Sequence, residues 1–504
     1  MRFLPLHNVL QLNFAGLNER RCIVRQTLGF YRTLIVGGTY SWGDGLAETS
    51  LREATYKALR HCVSVHPILS AVIINEETEA PLFARPKSLN LDDHAELLDV
   101  DDLAKNGNTT QEQDLIKLAF SRTHDQIFKS CDKTPPWKVV VLPLPAKTDS
   151  AKSRFLILFA YYHSHGDGKS GLAFHKTFVE GLRLASGPDS RFTSTKEHKT
   201  PDMPLLPSME QAGKLTVSWS YLLSPLFGAY LPSFLGFRAS ATPEAPDQWR
   251  GGATKFDPSN FTTSLDLLEI DNQTMQKVLK ACRARGARFT GLLHQLIVRA
   301  LSQTLPADTP AGSFVSQTAV DLRKNLDGIT DDDMALCPTG YYELFPRTET
   351  QHWADWTSPN SDSPVWAAAR NTTVKLAACA STLYDQPIGL LKYLRDFYSW
   401  TRNQLEKPRD SSYEVSNLLS FDPGATAAAA QPGAGGWDIE RMLFSQPANA
   451  VGICLSCNAV SRAGGDFVLM ISWQTGALGV EDEQEFVGKV CSSIRASVGE
   501  LANA

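Results

Sequence analysis

The sequence predicts an α/β protein built as two lobes, with a cleft or tunnel between them as the place for a ligand. Three observations carry this. At 504 residues the chain is longer than the ~250–300 residues over which a single hydrophobic core grows. Short runs dense in Val, Leu, Ile and aromatics alternate with stretches of helical spacing. The two halves also carry helix pairs and strands in similar order, without a detectable sequence repeat.

In chain order, residues 49–62 have helical spacing (Leu51, Ala54, Leu59, Cys62), and His66-Pro67 breaks it before the apolar run 68–74. Residues 114–127 read as a second amphipathic helix. Two buried strands are expected at 137–144 and 155–162. A Gly-rich turn follows, then a helix over 170–184 with Leu172, Phe178, Val179 and Leu182 on one side. Residues 186–207, rich in Ser, Thr, Pro and charge, read as a linker. The boundaries are therefore 1–210 for the first lobe, 211–253 for a crossover and 254–504 for the second lobe.

The second lobe restarts with a β-like run at 262–270. A helix capped by Asp271 and stopped by Gly286 follows, with Met275, Val278, Leu279 and Cys282 inward. The helix 290–305 is apolar enough to be largely buried. A strand ends in Val320-Asp321-Leu322-Arg323, helical segments lie between 367 and 405, and the stretch 413–421 comes next. Residues 424–436, rich in Ala and Gly, read as a loop. Strands at 450–459 and 467–475 and a helix over 481–501 close the chain.

Composition excludes several classes. The 43% hydrophobic and 20% charged content is that of a packed globule. A net charge of −5 with no basic stripe argues against nucleic acid as a partner. The nine cysteines are scattered and odd in number, as reduced core thiols of a cytoplasmic protein would be. Cys454 and Cys457 form a C-x-x-C, but the second pair of a zinc site is missing. The N-terminus lacks an apolar h-region, so secretion is not expected. Residues 215–237 carry no charge and several aromatics, yet Pro225 and Pro232 interrupt them. An interdomain crossover packed over the protein is the first reading, and peripheral membrane contact the second.

Chemistry concentrates at Tyr162-His163-Ser164-His165-Gly166-Asp167-Gly168. A histidine delivered by a strand end into a cleft can act as a general base near neutral pH. Asp167 can turn back under the loop, pair with an arginine and hold the imidazole's setting. Gly166 and Gly168 let the chain bend and a substrate approach closely. The rivals are a polar turn with incidental histidines, and a metal site, because His163, His165 and Asp167 also spell H-x-H-x-D. Metallo-hydrolases with that spacing continue with a histidine, whereas Gly168 and Lys169 follow here. His165 is read as a support behind His163 or as a residue facing the acceptor. His294, on the apolar helix, reads as a core histidine.

His163-x-x-x-Asp167-Gly168 at the end of a buried strand resembles the H-x-x-x-D-G signature of the condensation-domain, BAHD and chloramphenicol-acetyltransferase-like superfamily. More narrowly, Leu17-Asn18-Glu19-Arg20 through Leu28-Gly29-Phe30-Tyr31 resembles the opening of fungal alcohol acetyltransferases, and His66-Pro67-Ile68-Leu69 and the helix from Thr290 sit where that family has comparable elements. The resemblance covers nearly the whole chain. It implies two chloramphenicol-acetyltransferase-like lobes with mixed β-sheets, flanking helices and an active-site tunnel at their interface.

The resemblance further implies that His163 is the catalytic base and Asp167 a structural partner, with Gly168 in the turn. Arg323 matches the arginine that holds that aspartate. Asn417, in Ser416-Asn417, resembles an element lining the acceptor side, and Asn417 or Trp473 is the candidate for binding the oxyanion. The D-F-G-W-G of plant enzymes has no counterpart, since Gly435-Gly436-Trp437-Asp438 sits in a low-complexity tract. The implied reaction is direct acetyl transfer from acetyl-CoA to a hydroxyl of a small molecule, a fungal secondary metabolite, by a monomer without metal. Alternatives are a condensation-like catalyst forming C–N or C–O bonds, a zinc hydrolase using H-x-H-x-D, and a non-enzymatic binding module of the same fold.

Overall fold

The computed structural model describes the chain except residues 1–8, 44–47, 108–110, 147–151, 186–194, 224–242, 254, 307–308, 310, 347–362, 425–435 and 504. Two mixed sheets carry the architecture. The first has five strands in the order Asp438–Ser445, Thr33–Trp42, Ser153–Tyr162, Trp137–Leu144 and Ala95–Leu97. The strand Ser153–Tyr162 lies at its centre, antiparallel to both neighbours and buried from Arg154 onward. Its run of Phe, Leu, Ile and Tyr suits burial on both faces, which the sequence reads correctly.

The second sheet has six strands in the order Thr263–Ile270, Phe467–Gln474, Ile453–Arg462, Ser411–Phe421, Phe314–Asp321 and Pro338–Phe345. Ser411–Phe421 runs parallel to both neighbours, and the other pairs are antiparallel. Helices Asn272–Ala284, Phe289–Thr304 and Glu483–Asn503 bury their apolar faces against this sheet in one core with Leu296, Ile297, Val415, Leu469 and Ile494. Asp271 caps the first of these through the Thr274 N–H at 2.9 Å, and Gly286, at φ +69°, turns the chain away after it.

On the first sheet, helices Glu48–Val65 and Gly168–Ala185 cover one face, with Leu59, Phe174 and Phe178 fully buried. The opposite face packs on helix Glu112–His124, and this layer joins the halves. Leu115 and Phe120 share a core with Leu158 of the first sheet and with Leu267, Val468 and Met470 of the second. Fully burying one such side chain contributes roughly 1.5–3 kcal/mol. A charged network closes the edge of the seam: Arg154, 3% exposed, donates to Glu112 and Glu440, and Arg441 donates to Glu112 and Glu269.

Strand Asp438–Ser445 comes from the second half of the sequence yet pairs with Thr33–Trp42 of the first sheet. Neither strand stands out in the sequence. Gly37 and Gly38 dilute the first, and a Cβ at Gly37 would come within 2.7 Å of a Leu158 methyl, so glycine permits the close pairing. Cys454 and Cys457 are free thiols buried on Ile453–Arg462. Of the uncharged stretch 215–237, residues 224–237 lie outside the described residues; of the rest, Trp219 is 76% exposed. The tract 424–436 lies, but for its ends, outside them too. No helix among the described residues is long and apolar enough to cross a membrane.

Candidate active site

Both sheets send a strand end to the same place. Ser153–Tyr162 runs into a short 3-10 turn, His163–His165, and then helix Gly168–Ala185. Phe314–Asp321 of the second sheet runs into the turn Arg323–Asn325. Arg323 crosses to Asp167 as a two-pronged pair, donating at 2.7 Å to one carboxylate oxygen and 2.8 Å to the other. The N–H groups of Cys337 (3.1 Å) and Ser170 (3.0 Å) also point at this carboxylate. These donors outweigh the cost of burial and hold Asp167 below the usual carboxylate range. Its contacts are all structural, and it leaves the imidazole to other partners.

His163 stands above this pair. Its Nδ1 lies 2.8 Å from the Gly166 carbonyl oxygen, which can only accept, so Nδ1 carries the proton. Nε2 is then the basic nitrogen, on a residue that lines the large internal cavity. Burial pushes the imidazole down to about 4, opposed by the Gly166 contact and reinforced by Arg21 and Arg25. The ring is therefore neutral, and able to accept a proton, across the physiological range. Gly166, at φ +155° and ψ 171°, adopts a backbone that glycine alone enters at low cost, and this sets the carbonyl under the ring. At Gly168 a Cβ would meet a Leu418 methyl at 2.5 Å, so a larger residue there would have to displace that side chain.

His165 points elsewhere. It is 1% exposed, with Nε2 at 2.9 Å from the Ala71 carbonyl and its ring edge-to-face with Phe83. It supports the turn from behind and does not line the cavity, which corrects the acceptor-facing alternative. His163, His165 and Asp167 thus diverge, so H-x-H-x-D does not form a ligand set. Among the described residues no group of three or more His, Cys, Asp or Glu side chains could hold a metal. His294 is a core histidine, between Tyr413 Oη and Thr318 Oγ1 at 3.0 Å each.

Asn417 does line the cavity, fixed by donating to Thr290 Oγ1 (3.1 Å) and accepting from the Leu419 N–H (2.8 Å). It sits at a register irregularity in its strand, where Leu419 takes φ +66°, and such bulges re-aim side chains. Trp473 corrects an expectation. It is 1% exposed in the core of the second half, with its Nε1–H given to Glu483, and so has no donor for an oxyanion in the cavity.

Sequence reasoning missed a group on helix Leu17–Thr27 and just beyond it. Tyr31 packs against His163 with ring centroids 5.5 Å apart, and the Arg25 guanidinium covers the Tyr31 ring at 4.7 Å. Tyr31 Oη donates to Gln446 at 2.9 Å, and with its amide turned Gln26 accepts the His163 N–H at 3.2 Å. The signal was the stretch 17–31, which carried the family resemblance but no chemistry on its own. The cavity encloses about 1670 Å³ and is lined from both halves, including Lys169, Arg288, Thr318 and Phe444.

The abundance of buried histidine has a consequence for stability. His94, His124, His163, His165 and His175 are pushed by burial to about 4, and His294 to about 3. Unfolded, each titrates near 6.5, so between those values the unfolded chain binds more protons. Stability is then present above pH ~6.5 and lost as pH falls toward 4. Glu19, pushed up to about 7 by burial, and Glu76, Asp125, Asp410 and Glu414, also raised chiefly by burial, work in the opposite sense. His66 and His198, pushed down to about 4, add to the histidines. Urea midpoints followed by circular dichroism should fall steeply from pH 7 to 4.5. A flat profile would contradict the burial of these rings.

Comparison with known proteins fits this arrangement. The sequence profile of the alcohol acetyltransferase family matches residues 100–326, which include His163, Asp167 and Arg323. A probable alcohol acetyltransferase of Fusarium pseudograminearum is 25% identical over 497 residues, covering 94% of this chain and 93% of that protein. A probable alcohol acetyltransferase of Aspergillus fumigatus is 25% identical over 466 residues, covering 90% and 93%. Among solved structures, the trichothecene 15-O-acetyltransferase of Fusarium sporotrichioides superposes with a TM-score of 0.67 at 14% identity, covering 99% of this chain and 97% of that one. The first condensation domain of a calcium-dependent antibiotic synthetase superposes at 0.57 and 14% identity, covering 97% and 96%. These likenesses show that the chain shares its fold with that acetyltransferase and with that condensation domain.

Proposed function

We propose that this chain belongs to the alcohol acetyltransferase family and transfers an acetyl group from acetyl-CoA to a hydroxyl of a small molecule, with His163 as general base. The observation that carries the reading is the His163 ring itself, on a residue that lines the cavity, with Nδ1–H held by Gly166 and Nε2 left as the basic nitrogen. Nε2 takes the hydroxyl proton as the oxygen attacks the thioester carbonyl, forming a tetrahedral oxyanion. The C–S bond then breaks, and His163 returns the proton to the departing thiolate. Asp167 and Arg323 hold the turn, and Asn417 is the donor we assign to the oxyanion. A natural product with a hydroxyl group is the acceptor this reading favours, by analogy with the trichothecene enzyme of the same fold.

We take the boundary between lobes to be the crossover 211–253, with strand Asp438–Ser445 returning to the first sheet. Incubating the protein with acetyl-CoA and a panel of alcohols, with released thiol as the signal, tests the function. Thiol release that depends on the alcohol and yields its acetate ester is the expected result. Its absence across primary, secondary and phenolic hydroxyls would overturn the reading.

A further inference from the structure

The wall of the cavity beside His163 is more polar than transfer to an aliphatic alcohol needs. Arg21 and Arg25 lie one turn apart on helix Leu17–Thr27, Asp410 immediately precedes strand Ser411–Phe421 and Glu414 lies within it; all four line the cavity. None takes another as an ion-pair partner among the described residues. Arg21 donates to Asn18 at 3.0 Å and Arg25 to Asn449 at 2.6 Å. Glu414, 9% exposed, accepts from Gln446 Nε2 at 2.9 Å, and Gln446 in turn accepts from Tyr31, the residue packed against the His163 ring. Donors and acceptors thus face one space, a few bonds from the base. Charges held this way cost stability unless a ligand or water completes their bonding.

We infer that the acceptor is polyhydroxylated, and that Glu414 is the specificity residue that accepts a hydrogen bond from a second hydroxyl while the first meets His163. This rests on the acyl-transfer reading, whose base it shares. Arg25 and Arg21 supply donors to the remaining oxygens. Burial raises the Glu414 carboxyl from its ordinary range, with the Gln446 amide and then the two arginines opposing, as for a group that waits for a further donor. The size of the cavity leaves room for such a molecule together with the thioester arm.

The test uses four six-carbon probes differing in hydroxyl count: 1-hexanol, 1,2-hexanediol, 1,2,6-hexanetriol and sorbitol. The ratio of kcat/KM for the triol to that for hexanol should be at least about 10, since a hydrogen bond to a charged group is worth about one to two orders of magnitude. Glu414→Leu should collapse this ratio toward one, and Glu414→Gln, which keeps the Gln446 contact, should lower it part of the way. Saturation-transfer NMR reads binding of the same probes without turnover. Hydroxyl-selective binding without any thiol release would sink acyl transfer and leave this inference standing. A wild-type preference for hexanol, or an unchanged ratio in folded Glu414→Leu, would overturn it.

Discussion

His163→Ala is expected to lower acyl transfer by about 10²–10⁴-fold while leaving a folded protein, because general-base catalysis supplies about that share of rate. The ring's one strong contact is with the Gly166 carbonyl, and its cavity face is open, so truncation leaves no buried polar group that water cannot reach. The pH profile gives a second handle. The imidazole is pushed down to about 4, chiefly by burial, so the basic form persists well below the pH at which a free histidine is protonated. In free enzyme the acid limb of kcat/KM should therefore lie near pH 4–5 rather than near 6.5, as far as acid stability allows the measurement. Retained transfer in a folded His163→Ala protein would remove the base from the mechanism. An acid limb near 6.5 would contradict the burial of the ring.

The legible parts of this protein are those encoded locally. The apolar run 155–162, followed at once by histidine and two glycines, announces a buried strand feeding a tight turn, and the strand Ser153–Tyr162 is the centre of its sheet. Asp271 and Gly286 mark a helix because capping depends on residues a few positions apart. What stayed hidden depends on distant partners. Strand Asp438–Ser445 joins the sheet of the other half, a pairing that no local pattern specifies. Tyr31 and Arg25 meet near His163 from more than 130 positions away, and Glu414 is linked to Tyr31 through Gln446 only when the second half packs on the first, while each sits in an ordinary-looking segment. Trp473 shows the reverse error: a polar ring on a late strand suggests a donor, but the fold turns it into the core toward Glu483.

Asp167 and Arg323 are 156 positions apart in sequence, yet a Val-Asp-x-Arg strand end and a His-x-x-x-Asp-Gly turn were enough to suggest the pair. Removing either member should cost more stability than any surface change. The carboxylate is 5% exposed and takes two prongs from Arg323 together with backbone N–H groups from Cys337 and Ser170. Breaking a buried pair strands the surviving charge, at about 3–5 kcal/mol. Arg323→Ala leaves the Asp167 carboxylate without its cation, and Asp167→Ala leaves the guanidinium with Asp321, the Ala335 carbonyl and a long contact to the Ser170 hydroxyl. Both variants should accumulate less soluble protein and unfold at lower urea, unlike His163→Ala. Asp167→Asn should fall between them, because the amide keeps the shape and one acceptor but loses the charge. The pair also joins the turn of the first sheet to that of the second, so its loss loosens the two strand ends that place His163 over the cavity. Activity in whatever folds should then drop through both kcat and KM. Equal urea midpoints for Arg323→Ala and the unmodified protein would show that the pair does not hold the halves together.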